Sequence, residues 1–188
     1  MSAQFDLRMD KPTFLAWLQG RAGRYELAKS RIMMMTGGSR AHAIITRRLA
    51  AALERRLDAR RWTVLTSDFG VDLGPDTVRY PDIVVDVAGG PLKDLTATAP
   101  VLIAEVVSLS SATYDLGDKA AEYLRLASLS AYLVLAQDEP KAWTWVRNRS
   151  EFSPGPAVIA GMDALIVLPA LGIDLPLSEI FAGLDPSP

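Results

Sequence analysis

The chain has 188 residues, 49% hydrophobic and 22% charged, with a formal net charge of −2, a profile that fits one globular domain able to bury a sizeable core. It contains no cysteine and one histidine, which excludes disulfides, thiolate metal sites and multi-histidine zinc sites and leaves only a hard cation held by oxygens. The slightly acidic balance offers no global attraction for nucleic acid, so any such binding must rest on local basic patches.

The N-terminus, MSAQFDLRMDKPTF, has no basic segment followed by an apolar one and does not read as a signal peptide. Lys11 to Gln19 reads as a short helix with Asp10 as its cap and Pro12 in its first turn. Arg24 to Leu27 and Arg31 to Met35 read as two strands about a turn. The loop TGGSRAH follows, with Ser39 as an N-cap. Ala41 to Ala59 is the clearest helix: His42, Leu49, Leu53 and Leu57 share one face, and Arg48 and Arg55 lie together on another. Strands are expected at Trp62–Ser67, Phe69–Leu73, Ile83–Val87 and Leu102–Val107, then a helix from Leu116 to Ala127. Further strands are expected at Ala131–Ala136, Trp143–Arg147 and Leu165–Leu168, with a last helix at Leu177–Phe181. The longest apolar run, ALIVLPALGIDLPL, is broken by Pro169, Gly172 and Asp174, so no membrane span is expected. The order predicts a single mixed α/β domain over residues 1–188, a sheet flanked by helices. A cytoplasmic protein of bacterial type is expected.

Three segments carry chemistry. In VLIAEVVS, alternation places Ile103, Glu105 and Val107 on one face and Leu102, Ala104 and Val106 on the other. Both faces are otherwise apolar, so Glu105 needs a partner or a proton. A salt bridge to an arginine would satisfy it; so would a metal site. In RYPDIVVD, Asp82 follows Pro81 at a strand entry, where turn chemistry alone would also place an aspartate. If the two strands are neighbours, Asp82 and Glu105 converge, and two carboxylates suit Mg²⁺. In YDLGDKAAEY, Asp115 reads as an N-cap and Asp118 as the acidic half of a capping box. Lys119 lies one turn after Asp115 and one turn before Tyr123. It is either a snorkelling surface lysine or an ammonium aimed at the carboxylate pair.

Taken together, RYPDIVVD, VLIAEVVSLSSATYDLGDKAAEYLRL and AYLVL resemble a large bacterial family of restriction endonuclease-like proteins in the PD-(D/E)XK nuclease superfamily. The matching positions are Pro81-Asp82, Pro100, Glu105-Val106, Ser108, Ser110, Asp115, Lys119, Tyr123 and Tyr132. The opening RYELAKSRIMMMTGGSRAHAIITRRL carries Glu26 and His42, and LPALGIDLPLSEIF resembles the family's ending. The resemblance implies a restriction-endonuclease-like mixed central sheet flanked by helices and an Mg²⁺-dependent endonuclease, with Mn²⁺ as a substitute ion. Asp82, Glu105 and Glu26 would hold the ion, with the Val106 carbonyl, and Lys119 would join Asp82, Glu105 and Glu26 as the catalytic set. DNA would be the partner, bound by a homodimer.

Departures stand beside this. The superfamily's lysine two residues after the acid is Val107 here, leaving Lys119 as its candidate replacement. Leu109 stands where the family has proline, and Lys29-Ser30 replace a turn glycine. His42 reads as a core or rim residue that could border a cleft. Arg48 and Arg55 belong to a basic region interleaved with Glu54 and Asp58, either a solvated helix face or a contact for DNA phosphates. Two further readings stay open: a catalytically inactive nuclease-fold module for nucleic-acid binding or protein interaction, and a hydrolase of a smaller phosphate ester.

Overall fold

A computed structural model describes residues 4–35, 37–97, 99–108 and 112–184; Leu109 and Ser110, two positions compared with the family pattern, lie outside them. The elements run β1 (Gln4–Arg8), α1 (Lys11–Leu18), β2 (Arg24–Ala28), β3 (Arg31–Met35), α2 (Arg40–Arg56), β4 (Trp62–Thr66), β5 (Gly70–Asp72), β6 (Val78–Arg79), β7 (Ile83–Val87), β8 (Thr96–Ala97) and β9 (Leu102–Val107). A helical run follows, made of α3 (Ala112–Tyr114), a π-helical turn (Asp115–Lys119) and α4 (Ala120–Tyr123). The chain closes with β10 (Ala131–Ala136), β11 (Lys141–Val146), β12 (Ala157–Ala160), β13 (Leu165–Leu168), β14 (Ile173–Pro176) and α5 (Leu177–Phe181).

The central sheet has six strands in the order β12-β11-β10-β9-β7-β4 and is mixed, because β9 and β10 pair in parallel while its other neighbours are antiparallel. The parallel pair needs a crossover, and the helical run from Ala112 to Tyr123 supplies it. A second six-stranded sheet, ordered β1-β3-β2-β6-β5-β8, and the hairpin β13-β14 complete the fold. Among the described residues no helix is long and apolar enough to cross a membrane.

Strand β9 is buried along its whole length, as a run apolar on both faces should be. Leu102, Ala104 and Val106 pack against Ile45, Leu49 and Leu53 of α2 and against Ile180 and Phe181 of α5. Ile103 and Val107 face the opposite layer, with Tyr123 and Tyr132. A third cluster, Phe14, Leu27, Ile32, Val78 and Tyr80, seats α1 on the second sheet.

Two local features follow from sequence chemistry. Asp10 caps α1 by accepting from the Thr13 N–H at 3.0 Å, and Ser39 caps α2 by accepting from the His42 N–H at 3.1 Å. The β2–β3 turn is built from Lys29 and Ser30, both left-handed, with φ of 50° and 66°. Such a turn favours Asn-Gly, so it carries strain. Neighbouring segments hold it: the Lys29 N–H donates to Thr77 Oγ1, the Ser30 N–H to the Asp76 carbonyl, and the Met9 N–H to the Ser30 carbonyl.

Candidate metal and phosphate site

Strands β7 and β9 are antiparallel neighbours with Val84 opposite Ile103 and Ile83 opposite Ala104. The same register carried one residue further sets Asp82 beside Glu105. Both residues are nearly buried and line one cavity of about 320 Å³, together with Glu26, His42, Val106, Asp115 and Lys119. The two acids therefore share a face, as a joint ligand role requires.

Asp82 is held at one oxygen. Its Oδ2 accepts from the Val106 N–H at 2.8 Å and lies 3.0 Å from His42 Nε2. Glu105 is held from the crossover helix: its Oε1 accepts from Lys119 Nζ at 2.9 Å and from the Tyr123 hydroxyl at 3.2 Å. Lys119 also lies 3.0 Å from Asp115 Oδ1 and 3.7 Å from Glu26 Oε1. Val107, where the superfamily keeps its lysine, points into the apolar layer with Tyr123. The ammonium thus reaches Glu105 from the following helix. Glu26 is fixed from a third direction, by Arg79 Nη1 at 3.0 Å and the Tyr80 N–H at 3.3 Å. Arg79 in turn makes a two-pronged pair with Glu122 at 2.8 and 3.0 Å.

The π-helical turn lets one helix do this work. It spans Asp115 to Lys119, and the Tyr132 hydroxyl donates to the Asp115 carbonyl at 3.0 Å. Turns of this kind concentrate at functional sites. Asp115 is therefore not the N-cap expected from the sequence. The described helical run already begins at Ala112, and the Asp115 side chain is buried against Lys119.

The electrostatics are lopsided. Glu26, Glu105 and Asp115 share one lysine and one arginine, the latter also paired with Glu122, while Asp82 lies against His42. Burial above all, with the Asp115, Asp82 and Glu26 charges, pushes the Glu105 carboxyl up to about 8 against the pull of Lys119. Burial also raises Asp115. Burial opposes the Lys119 charge, but Glu105 and Glu26 outweigh it and hold its pKa well above the ordinary lysine value. A buried site with surplus negative charge is suited to a cation. Among the described residues, no group of three or more His, Asp or Glu side chains is arranged to hold a metal by itself. Two carboxylates fit Mg²⁺ nonetheless, since this ion commonly takes one or two of them and completes its shell with water and phosphate oxygens.

The sequence reading placed His42 at a core or rim position. It is half-buried at the mouth of the cavity, on Asp82, and Gly38 makes room for it: a Cβ on Gly38 would lie 2.6 Å from His42 Nδ1. Arg79 was missed, although it stands three residues before Asp82. Arg48 and Arg55, read either as part of a solvated helix face or as contacts for DNA phosphates, are engaged within the protein. Arg48 donates to the Ile180 and Ala182 carbonyls, and Arg55 pairs with Glu179. Both hold α5, more than a hundred residues away in sequence, so no local pattern could reveal them as ties.

Comparison with known proteins agrees with this architecture. Residues 12–178 match the Uma2 family, described as "Putative restriction endonuclease". Two proteins of Synechocystis sp. (strain ATCC 27184 / PCC 6803 / Kazusa) are similar. Uncharacterized protein slr1290 is 25% identical over 182 residues, covering 94% of this chain and 93% of its own. Uncharacterized protein sll1609 is 28% identical over 116 residues, covering 60% of this chain and 66% of its own. Among solved structures, a protein from Anabaena variabilis ATCC 29413 described as "a putative nuclease" superposes with a TM-score of 0.75 at 15% identity, covering 93% of this chain and 98% of that one. That likeness shows the nuclease fold.

Proposed function

The chain belongs to this restriction endonuclease-like family, and from that premise we propose that it is an Mg²⁺-dependent endonuclease hydrolysing DNA phosphodiester bonds. One observation carries the reading: Asp82 and Glu105 come from adjacent strands to one cavity wall, with the Lys119 ammonium 2.9 Å from Glu105. Asp82 and Glu105 are the proposed ligands, with the Val106 carbonyl beside them and Glu26 as an additional acid; Mn²⁺ suits the same oxygens. When bound, the ion supplies neutralisation of phosphate charge and lowers the pKa of a nearby water.

The chain's own groups do the rest. The Val106 N–H and His42 fix the Asp82 carboxylate, an orienting role typical of groups just behind a ligand. Lys119 and the Tyr123 hydroxyl both fix Glu105 through its Oε1. Lys119 also places positive charge where a phosphate would build up negative charge during hydrolysis. Arg79 holds Glu26 toward the same space.

The inactive-module reading has one observation in its favour, the occupation of Glu105 by Lys119 in the absence of any metal cluster among the described residues. The test is cleavage of supercoiled plasmid, linear duplex and circular single-stranded DNA with Mg²⁺ or Mn²⁺. Wild type should cut at least one of them, and Asp82→Ala and Glu105→Ala should each abolish cutting. Cleavage that survives both substitutions, or no cleavage of any substrate by wild type, would sink the nuclease reading.

A further inference from the structure

The geometry points to a binding track for a single nucleic-acid strand, not an intact duplex, running through the site along strand β3. The inference rests on the nuclease reading and adds the form of substrate it takes. The cavity that holds Asp82 and Glu105 adjoins two others. It shares Met33 and Tyr114 with a neighbouring hollow of about 350 Å³, and Arg24, Gly38, His42 and Asp82 with another of about 490 Å³. Taken together as one trench, the three hollows put the acids between its ends.

The charges of the trench are arranged for phosphates on either side of the acids. At one end stand Arg8, Lys29 and Arg31, and at the other Arg24 and Arg47. Arg8, Lys29, Arg31 and Arg47 are exposed and make no ion pair among the described residues. By contrast, Arg48, Arg55, Arg56 and Arg79 are all engaged inside the protein. Four unpaired cations thus line the trench together with Glu54 and Asp118, while Arg40, Arg61, Lys93, Arg125 and Arg149, also exposed and without an ion pair among the described residues, lie off it. Arg24 adds an oddity: its guanidinium donates to the Ser67 carbonyl, while its buried Nε finds no partner.

The floor decides between one strand and two. Alternation along β3 puts Arg31, Met33 and Met35 on one side over about 13 Å. Met33 and Met35 line the cavity beside Tyr114, whose hydroxyl touches Met33 Sδ at 3.7 Å. A duplex keeps its base faces stacked inside and offers such a floor only backbone and groove edges. A separated strand can turn its base faces onto the floor. Cations at either end, with thioethers and a phenol ring beside the central acids, suit a separated strand whose phosphates run past the site and whose bases turn onto the floor.

The test measures binding apart from cleavage. A labelled single-stranded oligonucleotide and the same oligonucleotide annealed to its complement are titrated with wild-type protein in chelator, where no cutting occurs, by fluorescence anisotropy. The single strand should bind more tightly. Arg31→Glu and Arg47→Glu should each weaken it several-fold and lower the salt slope by about 0.7 or more, while Arg60→Glu, remote from the trench, should not. Met33→Ser with Met35→Ser should weaken the single strand roughly tenfold and the duplex little. An unchanged thermal transition guards against misfolding. Equal or tighter duplex binding, or trench variants no weaker than Arg60→Glu, would overturn the track. A protein that binds this way yet cuts nothing with Mg²⁺ would refute the nuclease reading and leave the track standing.

Discussion

The Lys119 ammonium lies 2.9 Å from Glu105, 3.0 Å from Asp115 and 3.7 Å from Glu26, in a place almost closed to water. Removing one partner from such a cluster leaves uncompensated charge in a low dielectric, and that typically costs about 3–5 kcal/mol. Lys119→Met should therefore lower stability by up to about that amount above pH 8, where Glu105 is ionised, read as a shift in the urea midpoint, and should abolish cleavage. The loss should shrink as pH falls below about 8, where Glu105 takes up a proton. A variant equally stable at both pH values would mean that the ammonium does not hold the acids. Asp82, Glu105 and Lys119 were legible because apolar strands and a helix face with charges in them pose a question that sequence alone raises. Arg48 and Arg55 could not be recognised as ties to α5 for the converse reason. An arginine on a polar helix face looks the same whether it meets solvent or a distant carbonyl.

At the scale of elements, the best-read segments were those whose burial leaves a pattern. Strands β7, β9 and β10 fall where expected, because runs apolar on both faces announce central strands. Strands β6 and β8, two residues each, are defined by pairing with neighbours and leave no periodicity to find. The π-helical turn is equally silent, since its extra residue is set by what Lys119 and Tyr132 hold in space. The β2–β3 turn was half legible. The missing glycine was visible, and the structure adds that Lys29 and Ser30 pay the steric cost themselves. Lys29→Asn with Ser30→Gly should relieve it and stabilise the protein by about 1 kcal/mol. For a chain of this size that appears as a rise of roughly 2–4 °C in Tm. No rise would mean that the surrounding hydrogen bonds, and not the backbone, set the energy of the turn.

For the molecule as a whole, the acid cluster ties stability to pH. The Glu105 carboxyl is raised from 4.5 to about 8 in the fold. Between those values the folded protein binds more protons than the unfolded chain, so stability is fully present below about 4.5 and is lost as pH rises through 8. Asp115, raised by burial, acts in the same direction. Metal-free protein should therefore melt at progressively lower temperature as pH is raised from 5 to 8 (roughly these limits follow from linkage). Mg²⁺ should restore the loss by binding only the folded state, and Glu105→Gln should flatten the profile. A flat profile in wild type would show that Lys119 alone compensates the acid.

Arg79 has a consequence of another kind. It lies on β6 of the second sheet, holds Glu26 on β2, and grips Glu122 in the crossover helix of the central sheet. Separating the two sheets would pull that guanidinium off Glu122 and leave it only Glu26, its neighbour on the same sheet. Partial opening is thereby penalised, so the two halves of the fold melt as one cooperative unit and the acids cannot drift apart in a half-open state.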